Sequence, residues 1–368
     1  MDGMGRLRGN VALVSHNARC EGAPIMTLRI GGALRSRGWR VTMVSLADGE
    51  LSASFDAVLP PEAAARLAAE RGCSHVLLNT VVSASFAATF RKHAPGAAIL
   101  GVFHEMRVPH FPWYTAAAAE DLHGAVFVSE SCAATYRDLF GPATPFLVTH
   151  NWLDAATRAA IDAAPRLDPE ARRELGAGGL DVLVLSVGSV APHKGQLEFV
   201  LGAFAPAARA DPRLRLALLG TVYDPAAVER IVAACPPGSV TVTGLLPPHR
   251  AARYVRAADA TVQNSLMESF CLAAHEALYA GVPVMATAVG GLAEQIVHGE
   301  TGLLHRVGDM AAAAEHLRAL AADGALRERM GAAARARVLR DYGEAGGVAV
   351  YEEAVRRTKA APRGTRIP

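Results

Sequence analysis

The sequence has few lysines, few aromatic side chains and no paired cysteines, and each shortage removes a class of answers. Lys92, Lys194 and Lys359 are the only lysines of an arginine-based chain whose charge balances near +2 over 368 residues. That balance argues against nucleic acid as the main partner. Cys20, Cys73, Cys132, Cys235 and Cys271 are odd in number and lack CxxC spacing, so they read as reduced thiols, with no disulfide framework and no zinc site. No apolar run approaches the ~18 charge-free residues of a membrane span. The early run VALVSH is too short for the core of a secretory signal. Neither an Asp-x-Asp pair nor the phosphate loop GxxxxGK[ST] occurs. A cytoplasmic location is expected, with peripheral contact to the inner face of a membrane left open.

What is present is a repeated grammar. Half of the residues are hydrophobic, as in a globular chain. Short aliphatic runs alternate with longer helical patterns: NVALVSH, WRVTMVS, SHVLLNTV, AAILGVFH, AVFVSE and PFLVTHN, then LDVLVLSVG, LRLALLG, VTVTGLL, ATVQNS, VPVMAT and TGLLHR. Continuous apolar runs of this length suit parallel strands covered on both faces. IMTLRIGGALRSRG fits a crossover helix stopped by Gly38. Between the two series, DAATRAAIDAAPRLDPEARRELGAGG is polar and reads as a connection with at most one short helix. The expected class is α/β, with two Rossmann-like doubly wound domains, 1–160 and 161–345, facing a central cleft. A helix and tail over 346–368 is expected to return to the first domain. Ligands in such sheets bind outside the carboxyl ends of the strands, so polar residues that follow a strand become the candidates.

Three stretches pass that filter in the second half. VLSVGSVAPHKG places Gly188, Ser189 and then Lys194–Gly195 between a strand and a helix, where backbone N–H groups and one ammonium can meet an anion; a surface lysine at a turn is the plain alternative. ESFCLAAHEAL reads as a buried helix from Phe270 to Ala280 capped by Ser269. Glu268 then sits at the edge and Glu276 about 80° around the axis by the helical repeat, so the two serve different parts of a ligand. A carboxylate in that apolar setting needs donors, and the two hydroxyls of a ribose would supply them; an exposed helix edge is the alternative. AVGGLAEQIVHGETGLL places Gly290 and Gly291 before a short helix with Glu294 in its first turn.

Together, ESFCLAAHEALYAGVPVMATAVGGLAEQIVHGETGLL resembles the donor-site signature of glycosyltransferase family 4, retaining enzymes of the GT-B fold. Glu268, Glu276, Gly281, Pro283, Gly290, Gly291, Glu294, Gly299 and Gly302 fit it. VGSVAPHKGQLEFVLGAF resembles the family's phosphate loop and DYGEAGGVAVYEEAVRR its closing helix. The resemblance implies that Glu276 holds the ribose of a nucleotide sugar and that Glu268 contacts the sugar ring. The backbone around Ser269, Phe270, Cys271 and Leu272 meets sugar and diphosphate, alongside Gly188 and Ser189, and Lys194 stabilises the departing diphosphate. In the first half, His104 matches a histidine lining the transfer site, and Gly22, in the loop after the first strand, allows close approach of the backbone. No metal and no further cofactor is implied. The expected partners are a UDP- or GDP-sugar and a sugar, glycan or lipid-linked acceptor. Two departures stand out: Ser189 replaces the arginine that accompanies the lysine, with His193 as a candidate substitute, and Glu-Gly-Phe-Gly becomes Glu268-Ser269-Phe270-Cys271.

Further first-half candidates are His16 and Asn17 after the first strand, Glu105 beside His104, and Phe111, Trp113 and Tyr114 in a Pro-punctuated loop. Arg29, Arg35, Arg37 and Arg40 make the early helix basic, either as a lipid-facing patch or as a solvated face. Two other functions stay open: a nucleotide-sugar epimerase or hydrolase of the same architecture, and a non-catalytic nucleotide-sugar-binding subunit, for which Ser189 is the motive.

Overall fold

The computed structural model describes residues 9–107, 119–141 and 144–359. The aromatic candidates Phe111, Trp113 and Tyr114 lie outside the described residues. The chain divides into two compact units, one drawn from Met1–Asn151 with Glu344–Pro368, the other Trp152–Gly343.

The first unit holds a parallel sheet of seven strands: β1 Asn10–Ser15, β2 Arg40–Ser45, β3 Ala57–Val58, β4 His75–Asn79, β5 Ala98–Phe103, β6 Gly124–Phe127 and β7 Phe146–Val148. Its order is β3-β2-β1-β4-β5-β6-β7. All six residues of β5 are buried, as a strand covered on both faces requires. The helix Gly22–Ser36 returns from β1 to β2 and is followed by left-handed Gly38, φ 86°. Gly22 is the first residue of that helix rather than part of a loop. The helix Glu344–Arg357 packs in this unit. Its buried Glu352 accepts from Arg37 Nη1 at 2.8 Å and Trp39 Nε1 at 3.0 Å.

The second unit holds six parallel strands: β8 Val182–Val187, β9 Leu214–Leu219, β10 Val240–Gly244, β11 Ala260–Gln263, β12 Val284–Thr287 and β13 Gly302–His305. The order is β10-β9-β8-β11-β12-β13. Both sheets therefore reverse direction of winding beside their first strand, at β1/β4 and at β8/β11. The connecting segment, expected to hold at most one short helix, forms two, Ala155–Ala163 and Pro169–Glu174, capped by Asp154 and Asp168. After β8 comes a helical stretch, Gln196–Phe199, which widens into a π turn at Val200–Phe204 before Ala205–Ala210. Pro206 accounts for that widening, because it has no N–H to donate and its ring crowds the carbonyl of the preceding turn.

Candidate functional site

In the second unit the candidates gather at the switch point. Gly188, Ser189 and Lys194 come after β8, and Glu268 after the neighbouring β11. Gly188 turns at φ 135° and Gly195 at φ 62°, conformations natural to glycine. A side chain on Gly195 would begin 2.2 Å from the carbonyl oxygen of Asn264, so only glycine lets the loop approach β11 this closely. Lys194 Nζ then donates to Glu268 Oε2 at 2.7 Å, and Ser265 Oγ donates to the same oxygen at 3.1 Å. Burial works against the Lys194 charge, but the Glu268 carboxylate more than offsets it and holds the ammonium above its ordinary value. An ammonium has three N–H donors; the bond to Glu268 uses one and leaves capacity for the oxygens of an anion.

The helix after Glu268 starts later than the sequence pattern suggests. It runs Leu272–Tyr279, its N-cap is Cys271, and Ser269 does not cap it. Cys271 sits in the left-handed region at φ 74°, where a Cβ is strained, so residues 268–271 bend before the helix begins. An angle between Glu268 and Glu276 taken along one continuous helix therefore does not apply. The bend is held from a later element. Gly291 N–H donates to Glu268 O at 3.1 Å, and the Gln295 side-chain amide donates to Phe270 O. A Cβ on Gly291 would lie 2.5 Å from Phe270 Cα, so that position also demands glycine. Glu294 is the fifth residue of the six-residue helix Gly290–Gln295, not part of its first turn.

Glu276 begins the second turn of Leu272–Tyr279 and is half-buried. His275, one residue before it, is the fully buried member of that pair, ringed by Phe270 and Tyr342 and bonded through Nδ1 to Gln295 Oε1 at 3.1 Å. Burial pushes the Cys271 thiol up to about 12, with the Glu268 carboxylate adding to the effect, so this sulfur stays protonated. Ser189 lends its backbone oxygen to Gln196 Nε2 at 2.8 Å. His193 lies beside Lys194 in the loop with an exposed side chain; partial desolvation of the ring and the Lys194 charge lower its pKa, which works against a second positive charge there.

In the first unit, His104 follows β5 and Asn79 ends β4, its neighbour in the sheet. Asn79 Nδ2 donates to Ala23 O at 2.9 Å, which leaves Oδ1 to accept from His104 Nε2 at 2.8 Å. His104 Nε2 therefore carries the hydrogen. Burial, with His16 adding repulsion, lowers His104 from 6.5 to about 3, so the ring is neutral. Burial raises the adjacent Glu105 from 4.5 to about 7, against the hydrogen bond from Val81 N–H at 3.2 Å. His16 bonds Asn17 at 2.9 Å through Nε2. The basic helix is no bare patch: Arg29 is buried, Arg35 pairs with Asp56 and Arg37 with Glu352. Among the described residues no helix is long and apolar enough to cross a membrane.

Asn79, Asn264 and His305 do not stand out in the sequence alone. A polar residue closing an aliphatic run, as in SHVLLNTV and ATVQNS, is the signal that marks the two asparagines.

The family model "Glycosyl transferases group 1" matches residues 168–337, which include the loop 188–195, residues 268–279 and the helix Gly290–Gln295. D-inositol 3-phosphate glycosyltransferase of Pseudarthrobacter chlorophenolicus is 38% identical over 182 residues, 47% of this chain and 42% of that protein. Glycogen synthase of Mycobacterium tuberculosis is 28% identical over 251 residues, 63% of this chain and 56% of that protein. The chain thus spans about half the length of the curated relatives it matches. Among solved structures, Anabaena HepE in complex with UDP and glucose superposes with a TM-score of 0.79 at 16% identity, over 95% of this chain and all of that one. Sucrose-phosphate synthase from Thermosynechococcus elongatus gives 0.78 at 22% identity, over 95% and 99%. At these identities the likeness shows the fold, two Rossmann-like parallel-sheet units as in glycosyltransferases. Within that fold, residues 168–337 of this chain form a glycosyl transferases group 1 domain.

Proposed function

We propose that this chain is a retaining glycosyltransferase that moves a hexose-type sugar from a nucleoside diphosphate sugar to a sugar, glycan or lipid-linked acceptor. The observation that carries the reading is the Lys194–Glu268 ion pair, set between a left-handed glycine turn and a helix start at the switch point of the second sheet. An ammonium with donors to spare suits the oxygens of a diphosphate, and the N–H groups at the start of Leu272–Tyr279 suit the same anion. Glu268, which orients that ammonium, accepts a sugar hydroxyl. Glu276, half-buried one turn into the helix, accepts from the ribose diol.

In the reaction the acceptor hydroxyl oxygen bonds to the anomeric carbon while the bond from that carbon to the diphosphate oxygen breaks. The hydroxyl proton leaves with the diphosphate, and attack comes from the face that the leaving group departs. Lys194 counters the charge that develops on the leaving oxygen, the kind of electrostatic stabilisation that is usually the largest single contribution to catalysis of such steps. No divalent metal is needed in this scheme, so EDTA should leave turnover intact. On the first unit, His104 offers a neutral hydrogen-bonding ring of the kind that suits a sugar hydroxyl.

A thermal-shift screen of UDP-, GDP- and ADP-sugars on the purified chain, followed by product analysis with and without acceptor, tests the reading. Stabilisation by one nucleotide class and sugar transfer that needs acceptor are expected. Donor conversion without acceptor would make it an epimerase or hydrolase, and binding without any conversion would make it a binding subunit.

A further inference from the structure

Behind the ion pair lies a second layer that neither the fold nor the family model assigns. Asn264, the residue after β11, is 4% exposed, and so is His305 at the end of β13. Asn264 Nδ2 donates to Gly195 O at 2.9 Å, and Leu266 N–H donates to His193 O at 2.9 Å. Two bonds from the exit of β11 thus grip the turn on either side of Lys194. With its nitrogen committed to a carbonyl, Asn264 presents Oδ1 to His305 Nε2 at 2.9 Å. An amide oxygen only accepts, so His305 carries its hydrogen on Nε2.

The other ring atom agrees. His305 Nδ1 is buried without a hydrogen-bond partner, which is tolerable for a lone pair and costly for an N–H. Burial lowers His305 to about 4, with His316 adding repulsion and Asp309 opposing it, so the ring is neutral at ordinary pH. His316, whose ring lies 5.8 Å from that of His305, is itself lowered by burial and by His298.

We infer that Asn264 and His305 are positioning residues for Lys194: His305 locks the Asn264 amide, the amide holds the left-handed Gly195 turn, and the turn sets the ammonium against Glu268. The role given to Lys194 rests on the function proposed above; the relay itself does not.

The experiment exploits the scarcity of lysine. In the full chain carrying 13C at lysine Cε only Lys92, Lys194 and Lys359 give signals, and Lys194→Arg assigns the one that matters. In the native protein Lys194 should titrate above the ordinary lysine value of about 10.4. His305→Phe keeps the ring size and removes the donor, and it should return Lys194 toward that ordinary value. His305→Gln, which restores an N–H donor, should keep the native titration. Asn264→Asp preserves the acceptor for His305 and loses the donor to Gly195, so it should also release Lys194. An unchanged Lys194 signal in His305→Phe, or in Asn264→Asp should the first variant not fold, overturns the relay. So does a 15N spectrum of the native protein showing His305 protonated on Nδ1. None of these readings uses a ligand. If the native chain converts no donor, or converts it without acceptor, the proposed function fails and the relay stands. If Lys194→Ala transfers sugar normally, only the leaving-group role of Lys194 fails. The outcomes above sink the relay alone.

Discussion

Asn79 at the end of β4 and Asn264 just past β11 occupy equivalent places in two sheets of the same winding, beside the switch point of each. Each accepts from a histidine Nε2 and donates to a backbone carbonyl at the start of the first crossover helix, Ala23 O in one unit and Gly195 O in the other. The side chains set around this shared device differ. The second unit adds Lys194 and Glu268, an ion pair whose side chains are 22% and 11% exposed. The first unit adds Glu105, which burial raises to about 7, beside the His104 ring that burial lowers to about 3. The same asparagine–histidine device thus supports an ion pair at the edge of one sheet and, in the other, a neutral ring beside a carboxyl that burial raises to about 7. A cation held by a carboxylate suits a diphosphate, and neutral hydrogen-bonding rings suit sugar hydroxyls, where a fixed charge would cost desolvation for no partner.

The contrast between the two edges breaks most readily at its charged end. Lys194→Ala should cut kcat by roughly 10²-fold or more, the effect of deleting one donor to a developing oxyanion; a rise in KM alone, in steady-state transfer assays, would confine Lys194 to ground-state binding. Glu276→Ala should weaken nucleotide binding by about 10- to 100-fold, as expected for one or two hydrogen bonds to a charged group. Isothermal titration measures it, and unchanged affinity would remove the ribose role.

At the neutral end the effect appears as a pH dependence of stability. His104 titrates at 6.5 unfolded and about 3 folded, so the unfolded chain binds the extra proton between those values and His104 costs stability as pH falls through that window. Glu105 runs the other way: at 4.5 unfolded and about 7 folded, it is protonated only in the native state between those values, so it costs stability as pH rises from 4.5 to 7. The two slopes oppose each other from 4.5 to 6.5. His104→Gln should therefore flatten the acid loss below 4.5, and Glu105→Gln the loss toward 7, in urea melts across that range. Identical pH profiles for native and variant proteins would contradict the neutral edge.

The smallest change is Cys271→Gly. It relieves a left-handed strain of about 1 kcal/mol but adds unfolded-chain freedom of similar size, so Tm should barely move. The vacated space beside the bend should widen the range of donor sugars in the thermal-shift screen. A large Tm loss would show that the sulfur packs for stability instead.

The sheets are legible in the sequence because continuous aliphatic runs leave a buried parallel strand as the only economical reading. Only β3, two residues at a sheet edge, escapes, since Ala57–Val58 is too short to show a pattern. The start of the helix at Leu272 is obscured for a different reason. Phe270 and Cys271 are apolar in helical register, but Gly291 and Gln295, more than 20 residues later, bend the chain there through contacts no local pattern records. The histidine–asparagine pairs are hidden likewise, since their members lie 25 and 41 residues apart and each alone is an ordinary polar residue at a strand end. Lys194 and Glu268 are legible because each comes after a strand, yet their bond across 74 residues becomes visible only in three dimensions.

The most direct test is calorimetric titration of UDP, GDP and ADP into the native chain and into Lys194→Ala. One nucleoside diphosphate should bind the native chain at one site per chain, and its affinity should fall at least tenfold in the variant, the change that ~1.4 kcal/mol of lost interaction produces. Failure of all three to bind, or equal affinity in the two proteins, would contradict a diphosphate site built on Lys194 and Glu268.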